Sequence, residues 1–79
     1  MVTVRFFAAA RAAAGRTDDL VAATTLDQLI AELGEAYGAR LSAVLAACSY
    51  LVDGLAWHDR GAPLPAGATV DVLPPFAGG

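Results

Sequence analysis

The last nine residues read Asp71-Val72-Leu73-Pro74-Pro75-Phe76-Ala77-Gly78-Gly79. Thr69 to Leu73 reads as a strand, with Val70 and Val72 on the core side and Asp71 and Leu73 toward solvent. Pro74 and Pro75 have no N–H to give to a ladder, so strand pairing ends there. Two consecutive prolines favour an extended path that projects the following residues away from the body. Ala77-Gly78-Gly79 carries almost no side-chain bulk. Without a Cβ, each glycine can be held in almost any backbone conformation by another protein closing around it. Chain ends are commonly loose, and Gly-Gly alone says little. Directly after a strand and Pro-Pro-Phe-Ala, it reads as a tail whose terminal carboxylate is the working group.

Working back from that strand, Ala66-Gly67 is a turn and residues 59–67 form a Gly- and Pro-rich loop. Within it Leu64, between Pro63 and Pro65, is the expected apolar plug. Asp53-Gly54 is a two-residue hairpin signal, with Ser49 to Asp53 and Leu55 to His58 as its arms. Thr25-Leu26-Asp27-Gln28 is a capping box, and Asp27 suits the positive end of a helix dipole. Leu26, Leu29, Ile30, Leu33 and Tyr37 then recur at helical spacing and form one apolar stripe, which Gly38 ends. Gly34 weakens that helix by roughly 1 kcal/mol relative to alanine. A second helical stretch, Ala39 to Ala47, aligns Leu41, Val44 and Leu45 with Cys48.

At the N-terminal end, Met1 to Phe7 alternates. Val2, Val4 and Phe6 face one way, and Thr3, Arg5 and Phe7 the other. Ala8 to Ala14 makes one or two helical turns that stop at Gly15. Arg16 to Ala22 is a weaker strand that can pair antiparallel with the first. Strands before and after a central helix predict an α+β fold with the helix on one face of a mixed sheet. A final strand returning beside the first makes it the β-grasp roll. Residues 1–79 then form a single domain, with 74–79 as an extended tail.

At 79 residues such a domain buries only about 60% of its unfolded surface. A net charge of −3 argues against nucleic acid, which demands clustered cations. All five basic residues are arginines, so the chain offers no lysine for side-chain isopeptide links to itself. One cysteine, Cys48, excludes an intramolecular disulfide and fits a reducing compartment. No signal-like N-terminus is present, and the longest apolar run, 43–48, is too short for a bilayer. These features predict a cytoplasmic location away from membranes.

Val4-Arg5-Phe6-Phe7-Ala8 with Arg11 and Gly15, the Asp53-Gly54 hairpin, and the closing Pro74-Pro75-Phe76-Ala77-Gly78-Gly79 resemble the MoaD/ThiS family of ubiquitin-like sulfur carriers. The opening Phe-Phe-Ala with Arg11 favours the molybdopterin branch over the thiamine branch. Asp53 stands where the family commonly has Asn, and either residue serves the turn. The longer Pro-rich loop before the last strand is a second departure.

The resemblance implies that an activating enzyme related to ubiquitin E1 joins the Gly79 carboxylate to AMP, using ATP. Sulfur from a persulfide then leaves a Gly79 thiocarboxylate, which donates it to a cyclic pterin precursor in the large subunit of molybdopterin synthase, in a heterotetramer. The carrier would hold no permanent cofactor and no metal and contribute no catalytic side chain, while Pro74, Pro75, Phe76, Ala77 and Gly78 present the tail for recognition. The same chemistry could serve thiamine or cysteine synthesis, or conjugation of Gly79 to lysines of other proteins.

Strand alternation in the β-grasp arrangement places Phe7 and Leu73 side by side on the open face of the sheet, at the root of the tail. Leu51 and Ala56 extend this patch, and Arg5 and Arg11 rim it; both partners are expected to use it. Arg11 is either simply solvated or a partner contact. Cys48 reads as a buried small hydrophobe, and Asp18-Asp19 as a solvated turn without companion metal ligands. His58, the only histidine, has no evident role.

Overall fold

Alternating β-branched and aromatic side chains make the first strand, β1 (Val2–Phe6), whose Val2, Val4 and Phe6 are buried. The computed structural model describes residues 1–75. Phe76, Ala77, Gly78 and Gly79, on which part of the expected tail falls, lie outside the described residues. The alanine run forms α1 (Ala8–Ala14), closed by Gly15 in the left-handed region. Next come β2 (Asp18–Val21), α2 (Leu26–Tyr37), α3 (Ala39–Leu45), β3 (Ser49–Val52), β4 (Leu55–Ala56) and β5 (Thr69–Leu73).

The five strands form one mixed sheet in the order β2-β1-β5-β3-β4. The last strand in sequence therefore sits at the centre. It runs parallel to β1, from Thr3 opposite Thr69 to Phe6 opposite Val72, and antiparallel to β3, with Tyr50 opposite Val72. The β1–β2 and β3–β4 pairs are antiparallel hairpins. Asp53 and Gly54 both adopt positive φ, at 49° and 85°. Such a turn matches the twist of the strands that it joins, which is why Asp-Gly is favoured there. This is the α+β, β-grasp arrangement that the sequence implied, with three helices where it showed one long and two short helical stretches.

One face of the sheet is covered. Val2, Val4, Phe6, Tyr50, Val52, Val70 and Val72 pack with Leu26, Leu29 and Leu33 of α2, Leu41 and Leu45 of α3, and Ala10 of α1. Ile30, Tyr37, Val44 and Leu64 are half-buried at its margins, so Leu64 plugs the core as expected. The Tyr37 ring meets Phe6 edge-on at 5.7 Å, and its hydroxyl donates to Asp19 Oδ2 at 2.6 Å, which ties the end of α2 to β2. The Tyr50 hydroxyl is inside the core and donates to the Leu45 carbonyl at 2.9 Å; burial pushes its pKa up to about 12. Gly34 lies where α2 approaches α3, and a Cβ there would come within 2.5 Å of Ser42 Oγ.

Several expectations change in detail. Thr25 Oγ1 accepts from the Gln28 N–H at 3.1 Å, but Gln28 Oε1 reaches past Thr25 to the Thr24 N–H and hydroxyl. The Thr24 carbonyl also accepts the Leu64 N–H at 2.7 Å, so this helix start anchors the Pro-rich loop as well as capping itself. The return arm of the second hairpin ends at Ala56, not His58, because the loop leaves to cross toward α2. The second strand covers 18–21, not 16–22, and its Leu20 points to solvent. The helix expected over 39–47 ends at Leu45. Asp71 was expected in solvent and is instead buried. It lies on the open face, but in a central strand, where Arg5 of β1 and Leu51 of β3 stand directly beside it.

Candidate functional site

The central position of β5 determines where the tail leaves. The strand ends at Leu73, and Pro74, half-buried, and Pro75, exposed, carry the chain off the sheet. Both prolines lie against Ala9 of α1 and Val44 and Ala47 at the α3 end, around an apolar groove of about 200 Å³. Of the five residues expected to present the tail, these two are described; Phe76, Ala77 and Gly78 fall outside, as does the expected reacting residue Gly79.

Beside this root lies the open face. The parallel register that sets Phe6 opposite Val72 carries on to bring Phe7 and Leu73 to the same end of the sheet. Phe7 is extended (φ −127°, ψ 150°) and precedes α1, while Ala8 turns the chain with a left-handed φ of 49°. That turn takes the helix to the covered face and leaves the Phe7 side chain on the open one. Nothing in the alanine run signals it, because left-handed alanine is uncommon. Phe7 and Leu73 are both half-buried, less exposed than alternation alone suggested.

Cations account for part of that cover. The Arg5 and Arg11 guanidinium carbons stand 5.8 Å and 5.9 Å from the Phe7 ring centroid, within cation–π range. Arg11 Nε also donates to the Phe6 carbonyl at 3.3 Å, which orients it next to Phe7, although the residue stays exposed. Arg5 makes a fork on Asp71, Nε to Oδ1 at 2.6 Å and Nη2 to Oδ2 at 2.9 Å. The hydrogen bond and charge of Asp71 raise the Arg5 pKa above the ordinary guanidinium value. This ion pair was not foreseen from the sequence, although residues 5 and 71 become cross-strand neighbours once the register is known. Leu51, half-buried, and Ala56, exposed, continue the face toward β4.

The remaining candidates separate. Cys48 is buried, its Sγ sits 3.2 Å from the Val44 carbonyl, and burial pushes its thiol pKa up, which disfavours the nucleophilic thiolate. Asp19 is not merely solvated. The Tyr37 hydroxyl bonded to it, with Arg16 at 3.6 Å, holds its carboxyl below the usual range. Asp18 and His58 are exposed. Among the described residues no three His, Cys, Asp or Glu side chains gather as a metal site, and no helix is long and apolar enough to cross a membrane. The arrangement gathers two apolar side chains, two arginines and an apolar groove around the point where the chain leaves the sheet.

Subunits 1 and 2 of molybdopterin-converting factor from Helicobacter pylori, solved as a protein–protein complex, include a chain 28% identical, with a TM-score of 0.74 over 99% of this chain and 97% of that one. The small archaeal modifier protein 1 of Haloferax volcanii (24% identity, TM-score 0.77, 99% and 98% covered) shares the fold. So does its counterpart from Methanosarcina acetivorans (20%, TM-score 0.83, 99% and 95%). A search of curated proteins returned no match. The ThiS family model matches residues 4–79, and the chain belongs to the ThiS family of ubiquitin-like sulfur carriers.

Proposed function

We propose that this protein carries sulfur as a Gly79 thiocarboxylate for assembly of the molybdenum cofactor. The observation that carries the reading is positional: the central strand of a sulfur-carrier fold ends at Leu73 and launches Pro74 and Pro75 beside the Phe7–Leu73 face. The likeness to a chain from a molybdopterin-converting factor complex supports that branch, and a large synthase subunit as the acceptor partner; the reading expects the two to assemble as a heterotetramer.

The chemistry divides between partners. A carboxylate is a poor acyl donor at neutral pH, so an E1-like enzyme must activate it: a Gly79 oxygen attacks the α-phosphate of ATP and pyrophosphate leaves. A persulfide on a sulfur-donor protein attacks the acyl carbon and AMP departs with the bonding electrons. A thiol then reduces the resulting acyl disulfide, leaving the thiocarboxylate. Inside the large subunit its sulfur attacks a carbon of the cyclic pterin precursor, whose oxygen substituent leaves; water then cleaves the acyl–sulfur bond and returns the Gly79 carboxylate, and two such deliveries give the dithiolene. This chain supplies the carried atom, the narrow Gly78-Gly79 backbone that fits a closed site, and the face that holds the root of the tail. Cys48 has no part in the transfer, since its thiol is buried and its pKa raised.

Intact-mass spectrometry after incubation with ATP, an E1-like enzyme and a sulfur donor tests the carrier step. The parent chain and Cys48→Ala gain the mass of one oxygen-to-sulfur exchange. A chain lacking Gly79 gains nothing yet melts at the parent temperature. A gain in the shortened chain, or none in folded Cys48→Ala, contradicts the assignment.

A further inference from the structure

Two side chains left without a part in the tail chemistry, Cys48 and His58, line the same cavity of about 270 Å³, together with Tyr50, Leu51, Trp57 and Arg60. It exists because β4 is so short. One bond beyond Ala56, from the Trp57 N–H to the Tyr50 carbonyl at 3.0 Å, still holds the return arm against β3. Residues 58–60 then swing away, and the edge of β3 around Cys48 faces the gap. The loop is pinned on its far side, where the Arg60 carbonyl accepts the Asp27 N–H at 3.0 Å from the start of α2. So held, Arg60 places its guanidinium 5.6 Å from the Tyr50 ring centroid, over the cavity.

Two features make this more than a crevice. Arg5 is committed to Asp71 and Arg16 approaches Asp19, whereas Arg60, like Arg11 and Arg40, makes no ion pair among the described residues, and of these three it alone lines the cavity. An acidic chain thus holds an uncommitted guanidinium over an aromatic-lined cavity. In addition, the Trp57 indole nitrogen is buried and has no acceptor among the described residues. Buried donors are nearly always paired, so this one marks a place where an acceptor is missing.

We infer that the cavity binds a small organic carboxylate with a flat apolar body. Arg60 offers the two-pronged donor geometry that a carboxylate matches. The buried Trp57 N–H lies behind the cavity surface and gains an acceptor from the same ligand as the indole turns toward it, and Trp57 and Leu51 wall the apolar part. The volume lies just below the usual range for small-molecule sites, which favours a ligand of benzoate size over a nucleotide. The cavity shares Leu51 and Ala56 with the far margin of the docking face, and no residue with the groove at the tail root.

Trp57 is the only tryptophan, so its fluorescence reports on this cavity alone. Titrating the full chain at fixed ionic strength with benzoate, and with benzamide as its uncharged counterpart, tests the inference. Benzoate is expected to give a saturable change that benzamide does not. Its affinity should fall roughly tenfold or more in Arg60→Gln, through loss of a charge-assisted hydrogen bond. Amide shifts on benzoate addition should be confined to 48–51 and 56–60. No saturable response, an equal response to benzamide, shifts centred elsewhere, or undiminished affinity in Arg60→Gln would overturn it. The two wild-type titrations decide the matter even if the variant folds poorly.

Discussion

The two faces of the central sheet are built from the same strands, yet their side chains do different work. On the covered face seven residues, Val2, Val4, Phe6, Tyr50, Val52, Val70 and Val72, are each 3% exposed or less, and helices supply the cover. On the open face Arg5, Phe7, Leu51, Asp71 and Leu73 have no helix above them. Only Asp71 is buried there, and an arginine fork covers it in place of apolar packing. Under the proposed function, adjacent residues of one strand divide between stability and recognition, and mutations should separate the two.

The largest effect on stability is expected from Phe6→Ala, which empties the covered core and costs about 3–5 kcal/mol. Phe7→Ala, one residue along, should cost under about 1 kcal/mol, in the range of substitutions outside the core. Denaturant melts of the two variants measure the contrast, and equal losses would mean that the open face is core as well.

Alkaline pH probes the covered face differently. The buried Tyr50 keeps its proton up to about 12, whereas an unfolded tyrosine loses it near 10. A raised folded pKa contributes stability that is fully present below the unfolded value and is lost as pH rises through the folded one. Stability should therefore drop by on the order of 2 kcal/mol between pH about 10 and about 12. Tyr37, its pKa raised by its own burial and by Asp19, adds to the same slope. Melts in this window should flatten in Tyr50→Phe; an unchanged slope would assign the effect elsewhere.

Recognition should respond on the other face. Phe7→Ala and Leu73→Ala are each expected to weaken binding to the E1-like enzyme and to the large subunit by roughly thirtyfold, on the order of 2 kcal/mol. Titration calorimetry against each partner, with melting curves alongside, checks this. Unchanged affinities with sharply lowered melting temperatures would invert the assignment of the faces.

Much of this division was legible in the sequence because strand side chains alternate with a period of two. The valines and phenylalanine at 2, 4 and 6, and the valines at 70 and 72, fixed what points inward once the strands were recognised. Thr25, Asp53 and Gly54 announced a helix start and a hairpin through local chemistry. The Arg5–Asp71 fork was not legible, because it depends on a parallel register between residues 66 positions apart. The left-handed Ala8 is imposed by the chain's crossing from sheet to helix, and alanine carries no mark of it. The cavity at Trp57 follows from where the Pro-rich loop is anchored, by backbone bonds to Thr24 and Asp27 that residue types do not encode.

The most direct test of the sulfur-carrier assignment is reconstitution of thiocarboxylated protein with a large synthase subunit and the cyclic pterin precursor. Intact mass of the carrier and pterin dithiolene are read from the same reaction. Loss of the sulfur from Gly79, matched by dithiolene formation at two carriers per pterin, is the predicted result. A thiocarboxylate that persists beside unchanged pterin would contradict the molybdenum assignment, and delivery of its sulfur to a thiazole or cysteine precursor instead would move the carrier to another pathway. Appearance of Gly79 in an amide bond to a lysine of another protein would make the chain a modifier.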